Sequence, residues 1–217
     1  MDIRIIRRDT DEWAQVISLA QRKYKRAFEA SVEPTPDCFV ACYARREPAA
    51  GPELLACVGL TFGASGKFFA EQYLDEPIEQ ILAAAEQQPV SRESIVEVGT
   101  LASVGQSAGT ELLRILPMLL WCMKMRYVLC TATRQLRMLF DALGYPFESV
   151  VAASVTRLDD EEAREKWGRY YENQPETGFV KLELLTGHIS ENVLRYQFSR
   201  MARKTPPQPQ PQPQEAA

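Results

Sequence analysis

Histidine is nearly missing from this chain: His188 is the single one among 217 residues. A metal site built on several imidazoles is thereby excluded. The five cysteines, Cys38, Cys42, Cys57, Cys122 and Cys130, offer no C-x-x-C pair in their place, so no metal is expected. A serine hydrolase triad lacks its G-x-S-x-G elbow. Cysteines odd in number and set in apolar runs read as reduced thiols packed like small hydrophobes, which leads us to expect a cytoplasmic protein. Long apolar runs are absent too. The longest, residues 115–123, is about half of the ~20 residues a bilayer span needs, and it contains Pro117. The opening "MDIRIIRRDTDEW" has no apolar stretch behind its basic residues, so no secretion signal is expected. With 25 Lys and Arg against 29 Asp and Glu, no basic excess points to nucleic acid.

What is present suits one globular domain, since 46% hydrophobic residues can fill a sizeable core. We expect that domain over residues 1–204, followed by a disordered Pro/Gln-rich tail, "TPPQPQPQPQEAA", over residues 205–217. "DIRIIRR" reads as a strand, with Asp9 or Thr10 capping a helix whose apolar face carries Trp13, Val16, Ile17, Ala20, Tyr24, Ala27 and Phe28. "CFVACYAR" and "ELLACVGLTFG" read as a hairpin, and residues 68–88 as mostly helical, broken at Pro77. "SIVEVGTLAS", "RYVLCTAT" and "FESVVAASV" are further strands. Helices are expected over residues 109–125, after Thr133 as far as Gly144, and over residues 192–204.

The stretch "EVGTLASVGQSAGTELLRIL" starts as a strand and ends as a helix, with small uncharged residues at the turn. Backbone N–H groups at a helix start lack intrahelical partners and carry the positive end of the dipole, so such a turn can receive phosphate. This makes the backbone around Leu101, Ala102 and Val104, with the amides of Gln106, Ser107, Ala108, Gly109 and Thr110, the candidate site for an anionic cofactor.

Strand, helix, strand, helix around such a turn resembles the GNAT acyltransferases: an α/β fold with a central mixed β-sheet flanked by helices on both faces. Their turn motif Q/R-x-x-G-x-G/A is matched by Gln106 through Gly109, and departs where Glu111 replaces a small residue. "FFAEQYLDEPIEQ", "IVEVGTLAS", "YVLCTATRQLRMLFDALGYP" and "WGRYYENQP" closely resemble, in order, the blocks of the thermostable hemolysin family. That family looks like a divergent GNAT branch, reminiscent of acyl-homoserine-lactone and N-acyl amino acid synthases. The resemblance implies an N-acyltransferase that moves an acyl group from acyl-CoA or an acyl-phosphopantetheine carrier protein to a small amine, with no tightly bound cofactor. A membrane-active protein and a non-catalytic acyl-ligand binder are the alternatives. The first rests on the basic amphipathic "NVLRYQFSRMARK", which suits peripheral membrane contact.

Acyl transfer from a thioester needs a neutral amine and a proton for the departing sulfur. Glu97, on the strand face shared with Ile95, is the expected base. Where GNAT enzymes carry Asn and Tyr in the helix after the fifth strand, this chain aligns Thr133 and Phe140, so the acid is expected elsewhere, at Tyr73 or Tyr145, or the thiolate leaves as such. Glu71 and Asp75 are expected to orient the acceptor, and Trp167 and Tyr171 to wall the acyl group. Lys124, Arg126, Arg134 and Arg137 can steer a nucleotide or an acidic carrier. The sequence sets no oligomeric state.

Overall fold

The computed structural model describes residues 1–44, 52–158 and 161–193. The expected tail and most of the expected last helix lie outside these residues, and α6 (Thr186–Val193) is the part described. Seven strands form one mixed sheet: β1 (Asp2–Arg7), β2 (Cys38–Ala44), β3 (Glu53–Phe62), β4 (Ile95–Ser103), β5 (Tyr127–Ala132), β6 (Phe147–Ala152) and β7 (Glu176–Lys181). Their order is β1-β2-β3-β4-β5-β7-β6, and only the β4–β5 pairing is parallel. Helices cover both faces.

On one face α3 (Gln106–Cys122) and α4 (Arg134–Leu143) bury Leu112, Leu116 and Phe140 against Val96, Val128 and Val180. On the other, α1 (Trp13–Phe28) packs Val16, Leu19 and Ala20 onto Phe39, Ala41 and Ala102, while α2 (Ile78–Glu86) sets Ile78 and Leu82 near Ile95, Tyr127 and Leu129. These two apolar clusters leave a gap between them on the same face.

Two features of β4 position that gap. Strand β4 takes three steps from Gly99 to Ala102 while β3 takes two from Gly59 to Cys57, a bulge that places Thr100 at φ 52°. The parallel register with β5 spans only Ile95, Val96 and Glu97. Beyond Glu97 the strands splay, and β5 continues against β7 to Ala132.

Several boundaries differ from expectation. The α1 cap is Glu12, because Thr10 turns its hydroxyl back to the Arg7 carbonyl. Ala27 is exposed. Helix α3 starts at Gln106 after the N-cap Gly105, three residues before the expected Gly109. Thr133 does cap α4, accepting from the Leu136 N–H at 3.4 Å, and Gly144 does close it at φ 70°. Strand β7 was not expected at all.

Candidate active site

The gap is a cavity of about 650 Å³ whose floor is the β3–β4 face and whose walls are loops. Strand alternation sends Ile95, Glu97 and Gly99 to the same face. Ile95 goes under α2, and Glu97 and Gly99 line the cavity opposite Thr61 and Gly59, their register partners. Glu97 is 7% exposed.

Both oxygens of that carboxylate are engaged. Oε2 accepts from the Phe69 N–H at 2.7 Å and Oε1 from the Ala70 N–H at 3.0 Å, so Glu97 holds the start of a 3-10 turn, Phe69–Tyr73. Burial pushes its pKa from an ordinary 4.5 to about 7; the two N–H bonds oppose that rise and the charge of Glu71 adds to it. A carboxyl that changes charge near neutrality and keeps free lone pairs can accept a proton from an ammonium.

The wall facing Glu97 is aromatic. Rings run from Tyr73 to Phe69 (6.1 Å between centroids), to Trp167 (5.4 Å), to Tyr170 (5.0 Å) and to a stacked Tyr24 (6.3 Å). Trp167 is latched in place by backbone bonds, Ser31 N–H to the Lys166 carbonyl and Arg169 N–H to the Phe28 carbonyl, each 2.7 Å. Gly168 makes that approach possible: at φ 50°, a Cβ there would lie 2.4 Å from the Phe28 carbonyl oxygen. The Tyr73 hydroxyl lies 2.7 Å from that of Tyr171. Burial, then the bond to Tyr171, drives the Tyr73 pKa far above its usual value, so it stays protonated as a donor.

Sequence candidates divide sharply by place. Glu97, Tyr73 and Trp167 line the cavity, and Tyr171 stands behind Tyr73. Glu71 does not line the cavity. Burial favours raising its pKa, but Arg92 at 2.7 Å and the N–H groups of Phe68 and Ile78 outweigh that and hold it down, which makes it a clamp on the wall. Asp75 is an exposed ion-pair partner of Arg157.

Tyr145 is also elsewhere, among the α3 and α4 side chains on the opposite sheet face. Its hydroxyl donates to the Leu113 carbonyl at 2.9 Å. Pro117 explains why: with no N–H, it cannot serve the carbonyl four residues earlier in α3, and Tyr145 supplies the missing donor. Phe140 packs against Tyr145 and Phe147. Arg126 and Arg137 pair with Glu183 and Glu176.

In the β4–α3 turn, Val104 through Ser107 are exposed, whereas Ala102, Ala108 and Gly109 are buried. Gly109 serves packing, since a Cβ there would lie 3.0 Å from Ser103 Oγ. The first N–H groups of α3 have no side-chain cap and no acidic residue beside them. The residues that sequence reasoning passed over are Gly59, Gly99 and the loop at residues 31–36. Their partnership with Glu97 exists only through cross-strand register.

The thermostable hemolysin model matches residues 6–185. The chain belongs to the thermostable hemolysin family. No curated protein matches the chain in sequence. Among solved structures it is similar to FeeM, an N-acyl amino acid synthase from uncultured soil microbes, at TM-score 0.53 and 10% identity, covering 87% of this chain and 99% of that one. MesI, a CoA-dependent acyl-homoserine lactone synthase, gives 0.53 and 11%, covering 94% and 100%. The AHL synthase LasI gives 0.52 and 12%, covering 83% and 89%. The chain thus shares the fold of these synthases. Among the described residues no helix is long and apolar enough to cross a membrane, and no His, Cys, Asp and Glu group is placed to hold a metal.

Proposed function

We propose that this protein is an N-acyltransferase that takes an acyl group from acyl-CoA or an acyl carrier protein and transfers it to an amine. The observation that carries the reading is the β4–β5 splay, which joins an uncapped helix start on one side to a carboxylate-bearing cavity on the other. The neighbours MesI and FeeM, named as a CoA-dependent acyl-homoserine lactone synthase and an N-acyl amino acid synthase, support the same class.

In this reading the N–H groups of Gln106, Ser107 and Ala108 hold the donor's phosphates, and its thioester arm follows the edge of β4 left open by β5. The acceptor's ammonium meets Glu97, which takes one proton. The neutral amine attacks the thioester carbonyl, the C–N bond forms, the C–S bond breaks, Tyr73 gives its proton to the sulfur with Tyr171 behind it, and the proton shed by the attacking nitrogen restores the Tyr73 hydroxyl. The bulge at Thr100 and Leu101 breaks the ladder beside the reacting carbonyl, where a backbone donor can stabilise its oxygen.

The test is Gln106→Pro. Proline is favoured at a helix's first position, and Gly105 at φ −144° and ψ 164° accommodates a following proline. The variant should fold as before and lose one N–H donor. A hydrogen bond to a charged group contributes about 1.5–3 kcal/mol, so calorimetry with CoA and octanoyl-CoA should show binding weakened about tenfold or more. Unchanged affinity would place the donor elsewhere.

A further inference from the structure

The cavity exists because two glycines face each other. Gly59 and Gly99 are register partners on β3 and β4, on the face where neighbouring strand positions carry Phe39, Ile95 and Leu129. The two are not equivalent. A Cβ on Gly59 would meet the Pro36 ring at 3.1 Å, so Pro36 closes that end of the floor. A Cβ on Gly99 would meet nothing within 4 Å, and the backbone there lies outside the left-handed region, so a side chain at 99 is tolerated by fold and backbone alike. The open space above Gly99 is therefore no consequence of packing.

That space lies between bare strand backbone and the rings of Phe69, Tyr73 and Trp167, with Glu97 beside it on the same strand face. The donor turn is on the far sheet face, reached through the splay, which leaves this cavity to the other substrate. We propose that the floor at Gly99, closed by Pro36 over Gly59, is the seat of the acceptor, and that it selects an amine carrying a planar aromatic group. The ring lies on the glycine backbone beneath the aromatic wall, and its amine reaches the Glu97 carboxylate. A flat group makes use of a floor without side chains on one side and of ring faces on the other. This rests on the acyltransferase reading, which it makes specific at the acceptor.

The test compares the wild type with Gly99→Ala and Gly99→Leu, using octanoyl-CoA and two acceptors, phenethylamine and butylamine. Wild type should prefer phenethylamine in kcat/KM. In a close-fitting apolar pocket one methylene changes discrimination by about tenfold or more, so Gly99→Ala should raise the KM for phenethylamine by about that factor. Gly99→Leu should abolish the preference, with the KM for octanoyl-CoA unchanged and the melting temperature retained. Equal use of both amines by wild type, or a shift confined to donor chain length in the variants, overturns the proposal. If no acyl transfer occurs with any amine, the enzymatic reading fails by itself. Calorimetric titration of phenethylamine then decides the seat: binding to wild type lost in Gly99→Leu supports it, and no binding to wild type overturns it.

Discussion

Replacing Glu97 by Gln removes one charge from a buried site while keeping its shape, and the structure gives opposite consequences at low and high pH. Folded Glu97 holds its proton up to about pH 7, against an ordinary 4.5. A carboxyl that binds its proton more tightly when folded adds stability that is full below about pH 4.5 and is lost as pH rises through about 7. At about 1.4 kcal/mol per pH unit that loss is about 3 kcal/mol. The amide does not titrate. Its NH2 group cannot accept from the Phe69 or Ala70 N–H that now bonds a carboxylate oxygen, which costs about 1–3 kcal/mol at every pH. The Glu97→Gln variant should therefore be less stable than wild type at pH 5 and close to it, or above it, at pH 8. Urea unfolding at the two pH values measures this directly. Acyl transfer should fall about a hundredfold or more, the usual worth of a general base, and the rise of kcat/KM toward alkaline pH with a midpoint near 7 should disappear. Parallel pH–stability curves for the two proteins would refute the buried-charge argument, and full activity in the variant would refute the base.

The remaining expectations bear on the rest of the site. Tyr145→Phe leaves the Leu113 carbonyl without a donor, so stability should drop by about 1–3 kcal/mol while turnover at a temperature where it is folded stays near wild type; adding Pro117→Ala, which restores an N–H to that carbonyl, should return part of the loss in chemical unfolding. Arg92→Ala removes the partner of Glu71 and Glu79 and the cation stacked 4.4 Å over Phe68, so the wall at residues 66–73 should exchange its amide hydrogens faster than the rest of the sheet. Dye release from vesicles should require donor and acceptor together, since an N-acyl amine with a long chain is itself a surfactant; release by the protein alone would favour the membrane-active alternative.

How much of this was legible in the sequence depended on whether the deciding contact is local. The β4–α3 turn was readable because strand alternation, small residues and a helix start follow one another along the chain. Glu97 was placed correctly on its face by period-two alternation from Ile95. Strand β7 was missed because its composition answers to its neighbours. Gly178 is required where a Cβ would lie 2.2 Å from the Glu148 carbonyl oxygen, and Thr177 is there to bond Thr131 at 2.8 Å. Tyr145 looked like a spare proton donor near the helix that carries the acid in related folds, yet Pro117, on another helix, decides what its hydroxyl does. Gly59 and Gly99 look like ordinary strand interruptions until antiparallel register sets them side by side.

In the proposed reaction the same division lets one strand serve two substrates without confusion. Side chains of β4 alternate between the α3 face, where Val96, Val98 and Leu101 join the core, and the cavity face, where Glu97 and Gly99 stand. Val98 and Leu101 share a face although three residues apart, because the bulge takes Thr100 out of the alternation; Ala102 then falls under α1. Were Thr100 paired in a regular ladder, Leu101 and Ala102 would exchange faces. Deleting Thr100 is a different matter, since Gly99 followed directly by Leu101 keeps each side chain on its present face and makes the two steps of β4 match the two of β3. It also removes a non-glycine residue from positive φ, a strain worth about 1–3 kcal/mol. The deletion should therefore melt no lower than wild type. What it closes is the break in the ladder beside the reacting carbonyl, so acyl transfer should fall about tenfold or more, whereas Thr100→Gly, which relieves the strain and keeps the break, should retain turnover. Full activity in the deletion variant would show that the bulge plays no part in the chemistry, and a melting temperature far below wild type would show that it is needed by the fold.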